Sequence, residues 1–433
     1  MKWLLLPVIS LTAFAASIPP AVTFHKDVLP ILQAHCQECH RQGEIAPFAL
    51  MSYADARPWA KAIKADVLTR KMPPWFADPA IGHFANDRSL NKQEIDTMVA
   101  WVDGGAKEGD VKDAPKPREF VEGWNISKPD YIVSMKQPFH IPAKGDVPYQ
   151  YLVMPANFTE DKWVQMAEAR PSNRMVVHHV VIFIRDPKSK WLREAKPGIP
   201  YVPPTNGKLD FNNVSGGGNE ILTIYTPGMV PEIWRPGLGK LIKAGSDFVM
   251  QMHYTANGTE GDDLTKVGLV FAKEPPAERA ITLGGNNLGF KIPPGDPNYR
   301  VDAKNTFPNG GTLLSFFPHM HLRGKSFEYR AVYPDGRTET LLSVPHYDFF
   351  WQLDYKLEKP LALPPGTRIE CTAYFDNSPN NAHNPDPKSE VRFGEQSWEE
   401  MMIGFYDMVI PADMSLREFF TPKDAEKPPT KSE

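Results

Sequence analysis

The feature that most constrains this chain is its punctuation. From about Phe120 onward, short apolar runs alternate with turns rich in proline, glycine and asparagine. The runs at 151–154, 175–184, 221–226, 248–254 and 267–272 are strand-sized. Proline supplies 44 of the 433 residues, about twice the usual share. A residue with no N–H cannot extend a helix or sit in a central strand, so long elements are excluded over most of the chain. The rhythm predicts an antiparallel sandwich over 124–275 and a second over 276–420. In the second, Pro293-Pro294-Gly295, Pro334-Asp335-Gly336 and Pro364-Pro365-Gly366 mark turns, and 327–333, 338–344 and 368–375 read as strands. The length also calls for more than one core.

Residues 22–108 carry a different pattern. Ile95, Met98, Val99 and Val102 recur at helical spacing, Asn91 with Glu94 makes a capping box, and Gly104-Gly105 stops the run. Helices are expected at 25–40, 53–69 and 92–102. Cys36-Gln37-Glu38-Cys39-His40 is the C-x-x-C-H pattern of covalent haem attachment: two thiols one turn apart bind the haem edge, and the next imidazole reaches the iron. No second cysteine pair exists to complete a zinc site. For the sixth iron ligand, Met51, Met72 and Met98 compete. Met98 lies on an apolar helix face. Met72, held by Pro73 and Pro74, is the choice, because a stiff loop suits a thioether ligand. The expectation is a small all-α c-type cytochrome domain over 22–108, with a polar, proline-broken linker over 109–123.

Residues 1–15 read as a secretory signal, with Lys2, an apolar stretch at 4–14 and Ala13-Phe14-Ala15 as cleavage site. That stretch is shorter than the ~20 residues a membrane span needs, so the mature protein is not expected to span a membrane. Export with a haem motif places it in a bacterial periplasm or outside the cell. Residues 421–433 form a polar tail. With 48 basic against 52 acidic residues and no basic block, nucleic acid is excluded as a partner. Cys371, the third cysteine, reads as a buried small apolar residue, so no disulfide framework is available.

Histidines carry the remaining chemistry. His319 and His321 stand at i and i+2 after a strand-like run, so they share a face and can close on one ion. Met401 is a candidate third donor, with Met402 as its rival. Imidazole plus thioether is a soft set that suits copper. His178 and His179 are adjacent in an apolar strand. On a regular strand they face opposite ways, which leaves one in the core and one on the surface, unless the strand twists or the rings use different nitrogens. His253, on another strand with Gln251 on the same face, can join them in a three-histidine copper site.

These signatures come in a recognisable order: His178-His179, Gln251-Met252-His253-Tyr254, His319-Met320-His321 followed by Gly324-Lys325, and Glu399-Glu400-Met401. From about 125 to 420 the chain resembles the copper type II, ascorbate-dependent monooxygenases of the peptidylglycine α-hydroxylating and dopamine β-monooxygenase kind. The resemblance implies two all-β jelly-roll sandwich domains with one copper each. His178, His179 and His253 would hold the electron-transfer copper. His319, His321 and Met401 would hold the oxygen-binding copper and carry catalysis. Phe317, Ile403 and Phe405 stand where the peptide enzyme has its substrate-binding arginine, asparagine and tyrosine, which implies an apolar small-molecule substrate. The expectation is therefore an exported monooxygenase using O2, two copper ions and one covalent haem c fed by an external electron donor. The alternative is a periplasmic haem and copper electron-transfer or dehydrogenating protein without oxygen insertion.

Overall fold

A computed structural model describes residues 21–203 and 219–422; the signal segment expected at 1–15 and all of the polar tail beyond 422 lie outside them. Two antiparallel sandwiches fill most of the chain. The first contains β1 (Tyr131–Ser134), β2 (Phe139–Ile141), β3 (Gln150–Pro155), β4 (Lys162–Arg170), β5 (Val177–Arg185), β6 (Glu220–Tyr225), β7 (Glu232–Ile233), β8 (Leu238–Ile242), β9 (Asp247–Tyr254), β10 (Gly261–Asp263) and β11 (Lys266–Phe271). The second contains β12 (Glu278–Asn286), β13 (Lys291–Ile292), β14 (Tyr299–Phe307), β15 (Gly311–His319), β16 (Gly324–Val332), β17 (Thr338–Val344), β18 (Tyr355–Leu363), β19 (Thr367–Phe375), β20 (Val391–Arg392) and β21 (Ile403–Pro411).

One long sheet runs through both, in the order β1-β11-β4-β8-β12-β21-β15-β18. Its halves are joined by a short parallel pairing of β8 with β12, Leu238 opposite Glu278 and Gly239 opposite Arg279. The sheet β3-β9-β5-β6 covers the first half, and β14-β19-β16-β17 covers the second. Each pair of layers encloses its own apolar core, one around Val180, Phe248 and Leu269, the other around Phe316, Tyr329 and Ile369. Cys371 is a fully buried member of the second core. A Cβ on Gly285 or Gly404 would come within 2.8 or 2.6 Å of its sulfur, so glycine is what lets β12 and β21 lie over that thiol.

The separate all-α cytochrome domain expected over 22–108 is not found. Among the described residues helix is confined to short pieces: α1 (Leu29–His35), α2 (Tyr53–Ala56), α3 (Ala60–Leu68), α4 (Lys92–Asp103), brief π and 3₁₀ turns, and α5 (Leu416–Phe420) far downstream. Pieces of this length are not stable alone. Phe24, Leu32, Met98 and Trp101 give them a small core, but the segment also leans on the β structure. Trp75 belongs to the second sandwich core. Phe84 bridges to Leu357, Ala85 N donates to Lys356 O at 2.8 Å, and Glu358 N donates to His83 O at 2.9 Å. The stretch 83–86 thus covers the free edge of β18, which would otherwise expose unpaired backbone. The polar stretch expected as a linker lies along the helices as well: Arg118 donates to Gln33 O and pairs with Glu38 at 2.6 Å.

Candidate metal centre

His178, His179 and His253 converge. Their ring nitrogens all lie within 4.8 Å of one another, and all three side chains are buried. The alternation rule would have separated the first two. A bulge overrides it: Val177 faces Tyr254 and His179 faces His253, so His178 is an extra residue in the ladder. An inserted residue bends and twists its strand, and here it turns both rings to one side. The Nδ1 atoms of His178 and His179 are 3.1 Å apart. Among the described residues, His178 Nε2 and His253 Nδ1 have no hydrogen-bond partner. Burial pushes His178 down to about 4 and holds His179 and His253 well below the ordinary histidine range. All three therefore keep their lone pairs at neutral pH, in the form that binds a metal.

His319 ends β15 and His321 follows Met320, which is buried in the second core. The two rings are 5.2 Å apart, edge to face. Each has its Nδ1 tethered: His319 donates to Gln352 Oε1 at 2.8 Å, and His321 donates to Glu399 O at 3.2 Å. That leaves both Nε2 atoms for an ion, and His321 Nε2 has no partner among the described residues. Fixing one ring nitrogen to free the other is how proteins orient ligand imidazoles. Burial takes His319 to about 4 and holds His321 well below the ordinary histidine range. The turn is clamped from below by Glu400, fully buried, whose two oxygens accept His321 N at 2.9 Å and Arg323 N at 2.6 Å.

Met401 and Met402 separate cleanly. Met402 is fully buried in the second core, whereas Met401 packs with Ile403 and lines the cavity that His179 and His319 also face. The histidine groups are neighbours, with the rings of His179 and His319 6.2 Å apart. One loop, 345–354, touches both. Tyr347 OH donates to Met320 O at 2.8 Å. The Phe349 ring stacks on His178 at 4.9 Å and meets His321 edge-on at 6.2 Å, and Gln352 holds His319. The cavity measures about 60 Å3.

Cys36, Cys39 and His40 sit in one tight turn after α1. Cys39 N and His40 N both donate to Cys36 O, at 3.2 and 2.9 Å, and both thiols are unpaired. His40 Nδ1 bonds Phe48 O at 3.1 Å, which leaves Nε2 for an axial bond. Met98 is core, as its helix face requires. Met72 is half-buried in the turn after α3, with its N–H on Asp66 O at 3.3 Å. The Cys36–His40 turn abuts the loop after β6: a Cβ on Gly228 would lie 3.6 Å from Cys39 Sγ, and Arg88 donates to Gly228 O at 2.8 Å.

Sequence reasoning found the histidines, Met401 and the C-x-x-C-H turn. It missed Gln352, Phe349 and Glu395, which carry no spacing signal, and it gave Glu400 no role. No family model matches the chain, and no curated protein does. Among solved structures, the VP2 subviral particle of infectious bursal disease virus aligns over 69% of this chain and 76% of its own at 8% identity, with a TM-score of 0.18. The STIV major capsid protein aligns over 57% and 97% at 7% identity, TM-score 0.18. The tandem CBM22 domains of Paenibacillus barcinonensis Xyn10C align over 61% and 77% at 10% identity, TM-score 0.13. Similarity at this level carries no argument about fold or function.

Proposed function

We propose that this protein is an exported, copper-dependent monooxygenase that hydroxylates a C–H bond of a small organic molecule with O2. The carrying observation is two adjoining groups of buried, neutral imidazoles, His178, His179 and His253 beside His319 and His321, with His179, His319 and the Met401 thioether lining one cavity. Unpartnered nitrogens in an apolar interior are costly, and a metal removes that cost. His178, His179 and His253 would hold one copper. His319, His321 and Met401 would hold the other, with Met401 rather than Met402 as the thioether because only Met401 lines the cavity. An all-nitrogen and a mixed nitrogen–sulfur set both suit copper. Bound copper would supply the reduction of O2, one oxygen atom entering the substrate and the other leaving as water with two electrons and two protons.

The chain's own residues do the rest. Gln352 and Glu399 O fix the two ring tautomers, Glu400 holds the His321 turn, and Phe317, Ile403 and Phe405 exclude water from the cavity. Cys36, Cys39 and His40 would hold a covalent haem c, with Met72 the proposed sixth ligand. Such a group would supply electron transfer from an external donor, and the Cys36–His40 turn that would hold it lies against the loop following β6, whose strand pairs with the histidine-bearing β5. The test is a product screen by mass spectrometry under labelled O2, comparing the intact protein with His319→Ala. Label in a product of the intact protein alone supports the reading. Electron transfer without any oxygen uptake favours the dehydrogenating alternative.

A further inference from the structure

The cavity beside His179, His319 and Met401 is apolar along one wall, with Val181, Phe183, Leu283, Phe317 and Phe405. Its other end is polar and organised. Tyr151 and Gln251 face each other across β3 and β9. Gln251 Nε2 donates to Tyr151 OH at 2.6 Å, and Tyr151 OH donates to Glu395 Oε1 at 2.8 Å. Among the described residues, Glu395 is the sole carboxylate lining the cavity, and no lysine or arginine lines it. We propose that Glu395, oriented by Tyr151 and Gln251, is the specificity-determining anchor for a substrate whose apolar body ends in a hydrogen-bond donor, an ammonium or a hydroxyl. This deepens the oxygenase reading and rests on it for the word substrate.

The argument is one of satisfaction and sign. Gln251 fills the acceptor side of the Tyr151 hydroxyl, so that proton is committed to Oε1 and the second carboxylate oxygen can accept from a ligand. Burial raises the Glu395 carboxyl above its usual range, with the neighbouring Glu399 adding to the effect. A ligand carboxylate would meet a second negative charge and no cation, and is rejected. The placement also suits the chemistry. Tyr149, stacked on His253 at 4.4 Å, lines the same cavity as Glu395, His179 and His319. A head group at Glu395 therefore leaves the ligand's body in a cavity bordered by the histidines.

The test uses the intact, metal-loaded protein held anaerobic, titrated calorimetrically with benzylamine, benzyl alcohol, toluene and benzoate. Benzylamine and benzyl alcohol should bind at least tenfold more tightly than toluene, and benzoate should not bind. The ratio of amine to alcohol tells which donor the site prefers. Glu395→Gln should cut the amine preference by about ten- to a hundredfold, the range for a charge-assisted hydrogen bond. Tyr151→Phe, which keeps the ring, should give a smaller loss in the same direction. Binding of none of the four, toluene or benzoate binding as tightly as the amine, or an unchanged preference in correctly melting Glu395→Gln and Tyr151→Phe proteins, overturns the proposal. Copper content measured on the same samples separates the two readings. Amine preference without copper sinks the oxygenase and leaves the anchor, and two coppers with no preference does the reverse.

Discussion

Replacing Gln352 with leucine should weaken one metal site and spare the other. Gln352 is almost fully buried, and its Oε1 accepts the Nδ1 proton of His319 at 2.8 Å. The bond fixes the tautomer that presents Nε2 and makes the imidazole more basic. Loss of such a support costs ten- to a hundredfold in metal affinity, or about 1.4 to 2.7 kcal/mol. The metal-free fold should change much less. Gln352 Nε2 is itself a buried donor without a partner, so leucine removes an unmet amide along with the hydrogen bond it makes. The backbone bond from Thr226 Oγ1 to Gln352 O survives. The assay is a copper titration against a competing chelator, with melting curves of the metal-free protein alongside. One site should retain native affinity while the other loses at least tenfold. Equal weakening of both sites, or of neither, would refute the assignment of Gln352 to His319 alone.

Three further predictions follow from the same geometry. Met401→Leu should remove sulfur from one copper site with the fold intact, seen as loss of the copper–sulfur component by X-ray absorption, whereas Met402→Leu should keep it and cost under about 1.5 kcal/mol as a core swap. The metal-free protein should lose stability as pH falls from about 6.5 toward 4. In that window the unfolded chain takes up protons that buried His178 and His319, both near 4, refuse. Melting at pH 7, 6 and 5 should show the fall, with a shallower slope in a His178→Gln/His319→Gln double variant; an identical slope counts against it. Cys36→Ser with Cys39→Ser should leave no haem attached after denaturing extraction, while retained covalent haem would exclude this turn.

Much of the site was legible because its chemistry has fixed spacings. The C-x-x-C-H run at 36–40 and the i, i+2 pair at 319 and 321 are local patterns that a sequence displays directly, although the strand carrying the pair ends at His319. What could not be read was how separate segments meet. The bulge at His178 depends on pairing with β9, and strand alternation gave the wrong facing for one of the two rings. Gln352 and Phe349 lie in a loop without periodicity. The self-standing helical domain failed for a similar reason. Helical periodicity located α4 and its cap, but nothing in residues 75–86 announces that they close the edge of β18. The two-residue parallel contact between β8 and β12, which joins the sandwiches into one sheet, is too short to leave a pattern.

The most direct check is elemental analysis of protein purified from its native compartment and reconstituted anaerobically with copper. The account requires two copper atoms and one iron per chain, with His253→Ala and His321→Ala each losing one copper and keeping the iron. A single shared copper abolished by either substitution, or histidines that take up none, would contradict it.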